Sequence, residues 1–343
     1  HFDMPLGLAQ EYNGFNDRRV MDAFIRYGKK MIDCFGDRVK YWLTFNEQNI
    51  FHMPEAFRIS GYMKGEQTLR ELYELQHHAM VAHMTLTEYL HQTKPGKLMG
   101  GMLAHQLIYP ATCKPRDIFC AQQYDEFLNQ NLLRVFAGQG YSPAVMAVVE
   151  QEGFGDIYRA DDLALFARTK NDFMAFSYYA SKTLDSDAIP EGTPVNYYLL
   201  HGEKNNPYLK ATEWNWQIDP LGFRTIITRY ANDWRMPVFP IENGFGVIES
   251  WDGVNPIEDT YRIDYHRAHI EAMKAAMFED GAEVMGYLGW GLIDILSSQG
   301  DMRKRYGVVY VNRENHDLKD LKRVPKKSYA WLKQVIHTNG REM

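Results

Sequence analysis

Cysteine is scarce in this chain, with only Cys34, Cys113 and Cys120 among 343 residues. They form no C-x-x-C pair, and three are too few for a disulfide framework. No His-rich cluster accompanies them, so neither a metal nor another cofactor is expected. Positive charge is not in excess either. The 38 Lys and Arg face 44 Asp and Glu, a net charge of −6, which argues against a nucleic-acid or anionic-membrane partner. No apolar run reaches transmembrane length, and no signal peptide is visible. A reduced, cytoplasmic setting is the expectation. Repeats, low-complexity tracts and Pro/Gly-rich linkers are also missing, so one domain over residues 1–343 is expected. Oligomeric state stays open, a homo-oligomer included. What is abundant is core material: 45% of residues are hydrophobic and 14% aromatic, ample for a large α/β domain.

Helical and strand patterns alternate along the chain. Val20, Phe24, Tyr27 and Met31 recur at helical spacing after Asn16, which predicts a helix over 16–35 with Asn16 as its cap, stopped at Gly36. Further helices are predicted over 69–93, 124–136, 160–169, 220–234, 261–281 and 325–337. Five apolar runs read as buried parallel strands, over 39–47, 97–105, 172–181, 237–244 and 283–295. Residues 184–210 read as a long loop. Such alternation, with polar residues gathered at strand C-termini, suggests a parallel sheet with its chemistry on one rim.

Two carboxylates sit at that rim. Glu47 ends one strand in "TFNEQN" and Glu242 ends another in "PIENG". One such Glu alone would ordinarily be a solvated loop acid. Two with the same placement, each beside an Asn, suggest more, since paired carboxylates across a barrel mouth are the machinery of glycoside hydrolysis. Aromatic residues gather as well: Tyr178 and Tyr179, Trp214 and Trp216 in "TEWNW", and Trp290. Sugars stack their C–H faces on such rings. Most aromatics are core, and of the adjacent tyrosines one must point inward and the other out.

Taken together and in this order, "TFNEQN", "PIENGFG" and "GYLGWGLID" resemble the signature segments of glycoside hydrolase family 1. "HFDMP" at the start resembles that family's third-strand motif, and "KRVPKKSYAWLKQVI" its C-terminal helix. The resemblance implies a (β/α)8 TIM barrel of retaining β-glycosidases, here without its first two strands and most of the third, and so a fragment whose own activity is doubtful. It implies Glu47 as acid/base and Glu242 as nucleophile. Asn46 would bond the sugar 2-hydroxyl and His1 the glycone hydroxyls. Tyr179 would orient the nucleophile, and Trp290 would floor the sugar. A retaining pair must sit roughly 5 Å apart, with Glu242 ionised and Glu47 protonated.

One segment departs from the ordinary family pattern. Where family members carry "DNFEW", this chain has "DILSS", so Ser297 and Ser298 replace a Glu and a Trp; "QGDMRKRY" follows. A basic loop is usually solvated surface. Ser297, Lys304 and Tyr306, however, resemble the phosphate pocket of the 6-phospho-β-glycosidase branch, and "TEWNWQIDP" with Trp216 resembles it too. A carboxylate at 297 would repel a phosphate, and a serine does not. The small Ser298 points to glucose rather than galactose configuration. The resemblance therefore implies a phosphorylated β-glucoside as substrate. The alternatives are a plain β-glucosidase, a 6-phospho-β-galactosidase, or a phosphosugar-binding remnant without catalysis.

Overall fold

The computed structural model describes residues 3–298 and 300–343. They group into two compact units interleaved along the chain. The first comprises residues up to 176, then 183–204 and 234–237. The second comprises 177–182, 205–233 and 238–343.

In the first unit, α1 (Arg18–Phe35) begins two residues later than predicted. Asp17, not Asn16, caps it, its carboxylate accepting from the Arg19 amide at 2.8 Å. Asn16 instead donates to the Glu71 carbonyl. Strand β1 (Tyr41–Leu43) is much shorter than the predicted 39–47, because the chain leaves the sheet at Thr44. Helix α2 (Leu69–Thr93) has its predicted bounds, set by a capping box in which Thr68 and Glu71 satisfy each other's amides. It buries side chains on nearly every face, as a helix enclosed by its neighbours must. Gly28 lets α1 lie against α2, since a Cβ there would meet Leu86 at 2.4 Å. Strand β2 (Leu98–Ala104) pairs with β1 in parallel, Tyr41 opposite Leu98. Gly100 in β2 makes room for the ring of Phe173, in the wholly buried strand β3 (Phe173–Tyr178), whose last two residues count with the second unit.

Two other expectations need correction here. The helix predicted over 124–136 starts at Pro115 and carries a wider turn at Glu126–Gln130. The predicted loop over 184–210 contains a helical turn, Tyr198–Gly202, and a strand pair, Lys182–Leu184 against Glu203–Lys204. A cavity of about 560 Å³ in this unit is lined by Phe15, Phe24, Tyr27, Met31, Trp42 and Phe45.

In the second unit, α3 (Pro220–Arg229) is capped by Asp219, and β4 (Val238–Asn243) matches its prediction. A two-residue strand β5 (Val247–Ile248) follows, then α4 (Thr260–Phe278), which packs on α3. β5 pairs antiparallel with β6 (Lys304–Arg305), Ile248 opposite Lys304. β7 (Val309–Val311) pairs with β8 (Arg323–Pro325), and α5 (Lys327–His337) closes the chain. The strand predicted over 283–295 does not form as a regular strand. Its segment runs beside β4, with Met285, Leu288 and Trp290 amides donating to Val238, Pro240 and Asn243. Those steps are unequal on the two sides, so no continuous ladder registers. Only single bridges at Val284 and Ile293 remain. No described helix is long and apolar enough to cross a membrane.

Candidate active site

In the first unit, Asn46 and Glu47 stand where the chain turns off β1. Glu47 has φ 44° and ψ 55°, a left-handed conformation that costs a non-glycine residue of order 1 kcal/mol. Asn49 holds the turn in place. Its side chain donates to the Ala104 carbonyl at 2.8 Å and accepts from the Ala104 amide at 2.7 Å, pinning the turn to the end of β2. The amide nitrogen of Asn46 is buried without a protein partner. Asn49 went unnoticed in the sequence, where nothing local marks it; its burial and its bonds to Ala104 are tertiary. His1 lies outside the described residues.

The second unit gathers most of the other candidates. Glu242 is 8% exposed at the end of β4, and the Tyr179 hydroxyl donates to its Oε2 at 2.8 Å. Tyr178 points the opposite way, fully buried, its hydroxyl donating to the Asp219 carbonyl. The adjacent pair thus divides as strand alternation requires. Asn243 keeps the strand ends together, donating to the Tyr178 carbonyl and accepting from the Tyr287 hydroxyl, both at 2.7 Å. The Trp290 amide donates to the Asn243 carbonyl at 2.8 Å, and Gly244 leaves room for the tryptophan to approach.

The three cations of "RKR" have three different fates. Arg303 is exposed and pairs with Asp301. Arg305 is buried and pairs with Asp294. Lys304 is only 5% exposed, and among the described residues no carboxylate pairs with it. Its ammonium lies 3.5 Å from the ring centre of Trp216, 5.1 Å from Trp214 and 5.7 Å from Tyr306. Burial lowers its pKa to about 8. The "TEWNW" turn presents both tryptophans because Thr212 Oγ1 accepts from the amides of Trp214 and Trp216. Glu213 fastens that turn to β5 through the Ile248 amide. Trp216 in turn stands 5.2 Å from Tyr179, ring centre to ring centre. The structure therefore joins Tyr179, Trp216, Glu242, Lys304 and Tyr306 in one cluster. Ser297 is half-buried, its hydroxyl accepting from the Asp301 amide at 3.1 Å. Ser298 is exposed.

Comparison with known proteins identifies the family. The glycosyl hydrolase family 1 profile matches residues 1–341. The chain belongs to glycosyl hydrolase family 1. It is 36% identical to the aryl-phospho-β-D-glucosidase BglA of Bacillus subtilis, over all of this chain and 73% of that protein. It is likewise 36% identical to the 6-phospho-β-glucosidase AscB of Escherichia coli, covering 72% of it. Identity to the 6-phospho-β-galactosidase of Clostridium acetobutylicum is 31%. Among solved structures, a family 1 β-glucosidase from Thermotoga maritima superposes with a TM-score of 0.81 at 27% identity. That match covers all of this chain and 73% of the other, and gives the fold as the family's (β/α)8 type.

Proposed function

We propose that this family 1 glycoside hydrolase cleaves 6-phospho-β-D-glucosides with retention of configuration, releasing glucose 6-phosphate and the aglycone. Glu242 attacks the anomeric carbon as the C1–oxygen bond breaks, and Glu47 gives its proton to the leaving oxygen. Glu47 then takes a proton from water, which displaces Glu242 from the glycosyl ester. Tyr179 orients Glu242, Asn46 meets the 2-hydroxyl, and Trp290 lies under the ring. His1 belongs with the glycone hydroxyls.

One observation carries the phosphate assignment. Lys304 is a buried cation on aromatic faces, with no carboxylate partner among the described residues. An ammonium so desolvated is poorly matched to a neutral hydroxyl and well matched to a dianion. Tyr306 and Ser297 add hydroxyls, and Ser298 in place of a tryptophan suits the glucose configuration. The names of the relatives, aryl-phospho-β-D-glucosidase and 6-phospho-β-glucosidase, support the same reading.

The test compares nitrophenol release from the β-glucoside and its 6-phosphate. Strong preference for the phosphate is expected. Lys304→Ala should raise KM for the phosphorylated substrate by the equivalent of about 2–5 kcal/mol. An unchanged KM would return Lys304 to a packing role and the enzyme to a plain β-glucosidase.

A further inference from the structure

Behind the cluster of Glu242 and Lys304 lies a buried network of six charges that neither step of hydrolysis uses. Arg262, on α4, is 0% exposed. Its Nε donates to Asp259 at 2.9 Å and its Nη2 to Glu249 at 2.7 Å. Glu249 also binds Lys326, which reaches Asp294 at 3.1 Å; Asp294 in turn binds Arg305 at 3.1 Å. Three carboxylates thus balance three cations, each nearly sealed from water.

The remaining nitrogen of Arg262 does something different. Nη1 donates to backbone carbonyls of two separate segments, Phe245 at 2.5 Å in one, and Tyr306 at 3.0 Å with Arg305 at 3.5 Å in the other. Phe245 lies three residues past Glu242, and Tyr306 two past Lys304. One planar guanidinium therefore grips both the segment that carries the carboxylate and the segment that carries the cation. The fit leaves no slack. A Cβ on Gly246 would meet Lys304 and Tyr306 side-chain atoms at 3.0 Å. The β5–β6 ladder, Val247 opposite Arg305, closes the same junction.

We infer that Arg262 is a positioning residue that sets the span between Glu242 and Lys304, and so lets binding at the phosphate end of a sugar place its anomeric carbon for attack. This rests on the phosphate role of Lys304 proposed above. A fixed guanidinium suits such a task, because its rigid fork holds several acceptors in one plane. Lysine cannot span both carbonyls and both carboxylates at once. The energy of phosphate binding reaches the reacting centre only while the two are held in register.

The test is a double-mutant cycle of Arg262→Lys with Lys304→Ala, read as kcat and KM on nitrophenyl 6-phospho-β-glucoside. Arg262→Lys should lower kcat/KM about tenfold when Lys304 is present, chiefly through kcat, and less than about twofold when Lys304 is already alanine. Equal losses in both backgrounds would make Arg262 a stabilising residue only and overturn the inference. Failure of the phosphate reading would look different: Lys304→Ala alone would leave the preference between phosphorylated and plain substrate unchanged. If Arg262→Lys does not fold, Glu249→Gln loosens one of the guanidinium's holds and keeps the rest. It should show the same dependence on Lys304, with a smaller loss.

Discussion

An ammonium taken out of water with no carboxylate beside it must be compensated by something weaker or later. At Lys304 the weaker part is the face of Trp216, 3.5 Å away, and the later part is the phosphate. The lowered pKa, about 8 against an ordinary 10.5, has a definite sign. Below pH 8 the folded chain holds this charge at a cost in stability. The cost fades between about 8 and 10.5, where the folded lysine has lost its proton and the unfolded one has not. Substrate binding runs the other way. A phosphate monoester is a dianion above about pH 6, and Lys304 must be charged to meet it. The ratio of kcat/KM for phosphorylated over plain glucoside should therefore be highest between about 6 and 8 and fall above 8. A flat ratio from pH 7 to 9.5 would show that the charge of Lys304 is not being read. Tyr179 offers a second test at this scale. Its hydroxyl holds Glu242 Oε2 at 2.8 Å, and Tyr179→Phe leaves that oxygen one donor short. Turnover should drop about tenfold or more, and a kcat within twofold of wild type would argue that other groups orient Glu242.

Elements place these residues, and here the sequence was uneven as a guide. Helix α2 and strand β4 were legible because their signals are local: a capping box before Leu69, and an apolar run closed by Asn-Gly. The end of β1 was not. Whether the chain leaves the sheet at Thr44 or Glu47 depends on Asn49 reaching Ala104 some 55 residues on, a tertiary bond that no periodicity announces. The run 283–295 misled for a related reason, since apolar composition marks burial but not the spacing of hydrogen bonds along β4. At the start of β6, composition displayed three cations in a row, yet only their partners tell them apart. Asp301 and Asp294 claim Arg303 and Arg305 and leave Lys304. The turn after β1 should fail as a unit when its pin is removed. Asn49→Ala strands both backbone groups of Ala104 and should cost about 2–4 kcal/mol, seen as a lower urea midpoint at unchanged slope. Loss of activity should accompany it, because Asn46 and Glu47 ride on that turn. Wild-type turnover in this variant would mean that the turn holds its shape without Asn49.

At the scale of the whole molecule, the dominant pH liability is a set of buried histidines. His52, His78 and His83 in the first unit, and His266 and His269 in the second, are desolvated enough to lower their pKa values to between about 3 and 4. Each is tied to a neutral partner: His78 to the Phe15 carbonyl, His83 to Thr44 and Asn171, and His266 to the Tyr287 hydroxyl. The unfolded chain protonates its histidines near 6.5, and the folded chain resists until far lower. Between those values the unfolded state binds more protons, so stability falls as the pH drops below about 6.5. Each such histidine contributes up to roughly 1.4 kcal/mol per pH unit in that window. With both units carrying them, the loss should be steep and shared rather than confined to one part of the chain. Urea unfolding at pH 7.0 and 5.0 checks this, with a midpoint several tenths molar lower at pH 5.0 as the least expected shift. Replacing His83 with Gln, which keeps a polar group toward Thr44 and Asn171 but does not titrate, should flatten that pH dependence by about one histidine's share even if it lowers stability at pH 7. An unflattened curve would place the acid sensitivity in the other buried histidines, because Asp162, whose pKa the hydrogen bonds with His77 and Arg18 hold at about 2 despite its burial, loses its contribution only below about pH 4.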